Sequence, residues 1–496
     1  MDCEVAVVGG GIGGLTVAAL LAQRGVDVCL FDRESVVGGC AASFEKFDYN
    51  FEQGYGLYAA WQPNEIHERV FSELPVEPPE TRLLKPAFVV RLPDKSEVTL
   101  TSNVEALEAN LAAVFPECAG EAVAFYRHLI SIAAALRRAF QRTPDLITAS
   151  KAQQAYTLMR EGRMAGEILS SIQLTAADKL AGTSTRFRSF IDLQLQALTQ
   201  APSAQVPYLY AALSLSAPIE GMFAIKGGSA ALANSLASSI KQSGGKIRLN
   251  APVLRMSYDT AGEARGIDLL SGETVTASRA IISNLTIWDT YGKLIGLNHT
   301  PNEIRSQLKA LNGWGAYLLY LGMDQEAADR LVSDHVLALN DWPGDEPYNP
   351  EQMHLLFAAA PAWDRRAPEG KRAVTVHAFT AVEDWFSFHT DETEVEAQDQ
   401  AMLEQTWERL HAAMPELGSS VEVIDTATPR TFYEMTRRKL GMVGGVNPGP
   451  RSLLSPKPNY LTSLPNVFLI SDTTSPGGLA GLTQSALVLA NKLTNR

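Results

Sequence analysis

The tightest constraint on this chain is a glycine run set between a strand and a helix in its first 25 residues. Glu4–Val8 is a short apolar run without helical period, the signature of a buried parallel strand. Gly9-Gly10-Gly11-Ile12-Gly13-Gly14 follows at once, then Leu15–Arg24, an Ala/Leu-rich stretch that reads as a helix closed by Gly25. Val26–Phe31 reads as a second strand with Asp32 at its end. Gly9, Gly11 and Gly14 satisfy G-x-G-x-x-G: the first permits a tight turn, the second lets backbone approach a pyrophosphate, and the third lets helix pack on strand. A diphosphate would rest on the free N–H groups of the helix N-terminus, where the dipole favours negative charge. Asp32 is placed to accept hydrogen bonds from a ribose diol. A lone glycine motif is a weak signal; strand, glycines, helix, second strand and terminal acid in this order predict dinucleotide binding. Gly13 and Arg33 flank these positions and join the candidate set.

At the other end, Asn466–Ile470 is another buried-strand pattern. Ser471-Asp472-Thr473-Thr474-Ser475-Pro476-Gly477-Gly478 follows it, and a helix is predicted from about Leu482 to Leu493. A strand, an acid and a helix start form a second ligand-facing turn. Asp472 suits a sugar-alcohol hydroxyl, and free N–H groups at Gly481 and Leu482 suit the N1/O2 edge of a flavin. Taken alone this is only a loop before a helix. Paired with the N-terminal motif it predicts one dinucleotide-binding domain built from both ends of the chain.

The chain has 496 residues, past the roughly 250–300 at which a single core stops growing, so two or more domains are expected. With 42 basic and 55 acidic residues its formal charge is −13, which makes nucleic acid a poor whole-chain partner. Cys3, Cys29, Cys40 and Cys118 form no C-x-x-C pair and are too few for a disulfide framework, so a reduced, cytoplasmic protein is expected. No basic stretch precedes the Glu4 strand, and no signal peptide is expected. The most apolar long window, Val206–Ile225, carries Pro207, Pro218 and Glu220, which argue against a membrane span. The eight histidines show no metal-binding spacing and no G-x-S-x-G elbow is present, so metal and nucleophile chemistry are not expected.

Charge is unevenly spread. Residues 137–188 carry nine basic and four acidic side chains, an excess of five, interleaved with Leu158, Met159, Met164, Ile168, Leu169 and Ile172. This is the composition of an interfacial membrane helix; a solvated helical face over the core is the alternative.

Further residues carry a family resemblance. Arg33-Glu34-Ser35-Val36-Val37-Gly38-Gly39-Cys40-Ala41 and Phe51-Glu52-Gln53-Gly54 resemble the extended FAD-binding start of the amine oxidase and carotenoid desaturase superfamily. The resemblance places Gly38 and Gly39 on the path from diphosphate to flavin. Cys40 departs from the arginine frequent there and reads as a small buried thiol. Phe223–Gly228, a helix over Ser229–Gln242 and strands at Lys246–Leu249 and Val253–Tyr258 resemble the return to the FAD domain, with Val253 as the adenine-facing residue or an ordinary strand valine. Stretches at 38–44, 66–74, 190–196, 428–433 and 441–445 are similar to bacterial carotenoid desaturases, nearest the branch of C-3′,4′ desaturases and carotenoid isomerases. Ser471 and Ser475 depart from the Gly and His common in that loop, which puts substrate and outcome in doubt rather than FAD.

The resemblance implies an α/β fold: a discontinuous Rossmann-like FAD domain (1–75, 223–295 and 455–496), a mixed-sheet substrate domain (76–104 and 296–454) and a helical, membrane-contacting subdomain (105–222). Strand character at Thr81–Thr101, Ala310–Met323 and Ala373–Phe379 fits the second of these. The implied activity is desaturation of a hydrophobic polyene, a carotenoid or related isoprenoid, by hydride transfer to flavin N5. The alternatives are cis–trans isomerisation with reduced FAD, amine oxidation, or a prenyl-lipid escort protein on the same fold. The electron acceptor stays open, and no catalytic acid or base is assigned. The loop 428–445 is expected to line the flavin site, with Arg430 as a substrate-side residue or a structural ion-pair partner.

Overall fold

A computed structural model describes residues 2–146, 149–344, 346–386, 392–445, 461–475 and 477–495. Two seven-stranded sheets carry the architecture. In the first, Lys246–Arg248, Val28–Phe31, Asp2–Val8, Thr274–Ser283 and Val467–Leu469 run parallel, with Val5 opposite Val28 on one side and Ala280 on the other. Val253–Tyr258 and Ala264–Leu269 extend it antiparallel. Its strands therefore come from three distant stretches of chain. Val28–Phe31 is buried at every position, as a central strand covered on both faces must be. The helix Ile12–Gln23 is buried from Ile12 to Ala22, which explains its lack of a polar face. Gly228–Gln242 and Gly478–Thr494 flank it.

The second sheet runs in the order Val421–Ala427, Gly315–Asp324, Lys371–Thr380, His354–Ala359, His335–Leu339, Phe88–Arg91, Glu97–Leu100. It is antiparallel except where His335–Leu339 meets Phe88–Arg91. Its outer face (Leu319, Leu321, Phe357, Val374, Val376) packs on the helix Glu392–Ala413 through Leu410 and Ala413. Strand side chains alternate, so Thr375 and His377 turn to the inner face. There Thr375 Oγ1 donates to the Glu52 carbonyl at 3.0 Å. The strand expected from Ala310 begins at Gly315, because Asn302–Ala310 is helical. Thr81–Leu83 pairs with Phe223–Ile225 in a separate ribbon rather than joining the second sheet.

Seven α-helices are described from Val104 to Glu220, and they meet the second sheet where Val104–Val114 packs on Glu97–Leu100 and Thr185–Thr199 on His335–Leu339. The longest, Ala119–Arg142, buries Phe125, Tyr126, Leu129, Ile132 and Leu136 on one stripe at helical spacing. Most of the positive excess of this stretch is spent internally: Arg138 and Arg142 converge on the buried carboxylate of Glu161, Arg137 meets Glu220, and Arg186 reaches Asp94 and Glu117. No helix among the described residues is long and apolar enough to cross a membrane.

A buried ionic joint ties the layers together. Arg366 donates to Glu52 at 3.0 Å, to Asp364 at 2.5 Å and to the Ile225 carbonyl at 2.8 Å. The same two carboxylates accept from Gly227 N and Ser229 N, and so cap the helix that starts at Gly228.

Candidate functional site

The glycine turn is held from three sides. Gly9 takes φ +101°, open to glycine alone at low cost. A side chain at Gly14 would run into the Gly9 carbonyl and Asn284, so helix and strand touch there as the motif requires. Gly13 abuts Ile470 of the C-terminal strand, and Gly11 abuts Asn284. Asn284, at the end of the strand Thr274–Ser283, escaped the sequence reading. Its backbone N–H donates to Val8 O at 2.7 Å and its amide to Ile470 O at 2.6 Å, bolting the two ends of the chain together beside the turn. A polar residue closing a buried strand was the available signal.

Asp32 accepts from Gly10 N at 2.6 Å and Glu34 N at 2.8 Å. Burial pushes its carboxyl up against these two hydrogen bonds. Arg33 pairs with Glu34 at 2.7 Å. Gly38 bridges Gly11 and donates to Gly10 O at 2.8 Å, and Gly39 lies over Gly11, so the second glycine pair is laid directly on the first. Val253 opens its strand opposite Leu269.

At the C-terminal turn the structure corrects the sequence reading. The helix begins at Gly478, not near Leu482, because Gly477 (φ +96°) and Gly478 (φ +59°) turn the chain earlier. Gly481 N–H is therefore not free; it donates to Gly477 O at 3.1 Å. The first-turn N–H groups that a helix leaves without intrahelical partners belong to Gly478, Leu479 and Ala480. Gly477 N donates to Tyr210 Oη at 2.9 Å, fixing this turn to the helical layer. Pro476 of the predicted loop and His389 lie outside the described residues.

The loop 428–445 does reach the site, through a different arginine. Arg430 donates to the Trp385 carbonyl at 2.8 Å and does not line the cavity. Arg438 is in the cavity wall, paired with Asp472 at 3.0 Å. Cys40 stands beside them, half-buried, its thiol pushed up by burial although Arg438 opposes the shift.

Apart from Arg430 and Gly14, these groups face one cavity of about 2270 Å³, more than twice the roughly 1,000 Å³ upper range of ordinary ligand pockets. Gly9, Gly11, Gly13, Asp32, Arg33, Gly38, Gly39, Val253, Asp472, Gly481 and Leu482 line it; Gly14 sits behind it. The same cavity is also lined by Leu57, Ile66, Phe140, Leu198, Leu213 and Met222, with Glu65, Arg69, Arg137 and Glu220 among them. Among the described residues no cluster of three metal-ligating side chains occurs.

A glycine cradle, a strand-end acid and a second helix start sharing one oversized cavity are what a flavin-dinucleotide enzyme requires. A family model for flavin containing amine oxidoreductases matches residues 12–493, and the chain belongs to that family: it is an FAD-dependent oxidoreductase. It is 24% identical to the chloroplastic prolycopene isomerase of Arabidopsis thaliana, over 99% of this chain and 82% of that protein. It is 26% identical to the zeta-carotene-forming phytoene desaturase of Myxococcus xanthus, over 75% of this chain and 71% of that one. Among solved structures, an oxidoreductase from Methanosarcina mazei shares the fold with a TM-score of 0.63 at 16% identity, covering 99% of both chains.

Proposed function

We propose that the enzyme acts on a long hydrophobic polyene, a carotenoid or related isoprenoid, held in this cavity beside the cofactor. The carrying observation is the size and lining of the cavity. Its surface is more apolar than polar, so a substrate is positioned mainly by shape and apolar contact. The polyene-acting relatives support the same class. In this reading the segments 1–75, 223–295 and 455–496 hold the cofactor. The glycine turn (Gly9, Gly11, Gly13, with Gly14 behind it) takes the diphosphate, Asp32 and Arg33 the ribose side, and Val253 the adenine. Gly38 and Gly39 guide the chain toward the flavin, and Asp472, with the helix start around Gly478–Leu482, takes the ribityl and ring side. FAD, when bound, supplies a hydride acceptor at N5. The residues of this chain hold the two partners together, exclude water and set the local charge. Desaturation is the leading outcome, and isomerisation with reduced FAD the second, favoured by the isomerase relative.

Incubating the holoenzyme with a set of carotenoids, with and without air, separates these outcomes. Loss of two hydrogens in the product mass supports desaturation, and unchanged mass with shifted retention supports isomerisation. Turnover of amines alone would remove the polyene reading.

We further propose that the helical hairpin Lys151–Met159 and Arg163–Ser171 touches a membrane surface. Tyr156, Met159 and Leu169 are 64%, 75% and 57% exposed there, beside Arg160 and Arg163. Sedimentation with anionic vesicles tests it: Met159→Ser with Leu169→Ser should lower binding about tenfold or more, and equal binding by both proteins would refute it.

A further inference from the structure

We infer that Arg438 is the residue that sets the redox poise of the cofactor, by holding the charge of Asp472 in balance at the cavity floor. The backbone is bent to deliver it. Arg437 (φ +54°) and Leu440 (φ +50°) both take left-handed conformations on either side, costly for side-chain-bearing residues and rare for leucine. The result turns the Arg438 side chain inward, to 12% exposure, while Arg437 stays at the surface against Tyr433. The guanidinium then organises its own loop. Nε donates to Met442 O at 2.6 Å, Nη2 to Gly444 O at 3.0 Å, and Nη1 faces Asp472 Oδ2 at 3.0 Å.

The place of this pair matters. Gly38 and Gly39 lie on Gly11, Cys40 follows them, and Cys40 is beside Arg438. The Arg438–Asp472 pair therefore lines the same cavity as Gly38 and Gly39, and Cys40 links it to the stretch that rests on the glycine turn. Burial would lower the guanidinium, but the Asp472 carboxylate outweighs it and keeps the charge firmly in place. A dinucleotide already brings two negative charges to the cradle, and reduction adds electron density to its flavin. An Asp472 without a counter-charge would repel that reduced state in a poorly screened cavity. With Arg438 opposite, the pair is neutral as a unit. The inference concerns the cofactor and holds whichever substrate is turned over.

Anaerobic redox titration of the purified holoenzyme tests it. Arg438→Met leaves Asp472 unbalanced and should weaken reduced relative to oxidised FAD at least tenfold, a fall in midpoint potential of about 30 mV for a two-electron couple. Asp472→Asn leaves the guanidinium unbalanced and should move the potential the other way by a similar amount. Arg438→Lys, which keeps charge but loses the fork, should stay near the wild type. Shifts of the same sign in the methionine and asparagine variants, or no shift in either, overturn the assignment. A fall in the lysine variant as large as in the methionine one also overturns it, because loop geometry would then be the cause. If Arg438→Met holds no FAD, the sign of the Asp472→Asn shift decides alone.

Discussion

The two sheets solve opposite problems. The parallel sheet presents its working atoms at strand ends, as backbone N–H groups and small residues at turns: Gly9, Gly11, Asn284, Asp472. The second sheet has three histidines on three adjacent strands, His335, His354 and His377, all buried on its inner face. Burial pushes His377 down to about 3 and His335 to about 4, with His354 also well below its usual value. They are neutral packing units under the segment that walls the cavity. Tyr55 stands edge-on to His377 at 4.8 Å, and Gly56 leaves no room for a side chain beside His335 Nε2. One sheet offers polar groups to a ligand, while the other removes them from water to make a stiff floor. Function at the first is a property of short motifs; function at the second depends on contacts between distant strands.

The largest expected effect breaks the floor with acid. His67, stacked on Trp61, is likewise buried and pushed down to about 3. A histidine whose folded pKa lies below its unfolded value contributes stability above about pH 6.5. That contribution is lost as pH falls from there toward the folded value, since only the unfolded chain binds the proton. His67, His335 and His377 together should remove about 4 kcal/mol per pH unit between roughly pH 6 and 4. Urea unfolding at pH 7, 6 and 5 measures this. His377→Phe should reduce the histidine-driven slope by about a quarter, because His354 adds to the other three. A stability flat over that range would mean that these rings are not buried in the neutral form.

This contrast also explains what the sequence could disclose. The strand–glycine–helix unit, the Asp32 position and the C-terminal strand with Asp472 are each local, set by periodicity and turn chemistry within thirty residues. The discontinuity of the first sheet was legible because both ends carry such units. The helix start at Gly478 was misplaced by a few residues, since consecutive glycines permit several turns and only the Tyr210 contact selects one. His335–Leu339, His354–Ala359 and Val421–Ala427 went unread as strands; their apolar runs gain meaning only from antiparallel partners far along the chain. Arg438 was passed over for Arg430 for a similar reason. Both lie in the same short stretch; the helix Pro429–Thr436 turns Arg430 to the Trp385 carbonyl, whereas left-handed residues at 437 and 440 flank the inward-facing Arg438.

Two glycines in the cofactor layer sharpen the comparison at smaller scale, because the same alanine tests different physics at each. Gly14→Ala places a methyl group against the Gly9 carbonyl and Asn284, neither of which can yield without opening the turn. Overpacking of this kind costs about 1–3 kcal/mol, and the cradle should release FAD on desalting. Gly25→Ala has open space around it, and its cost is that of a left-handed φ of +81°, about 1–2 kcal/mol. It closes the same helix at the end remote from the turn, so the variant should melt slightly earlier yet keep its flavin absorbance. Equal flavin loss from both would show that retention follows general stability, and the claim that the motif acts through local backbone geometry would fail.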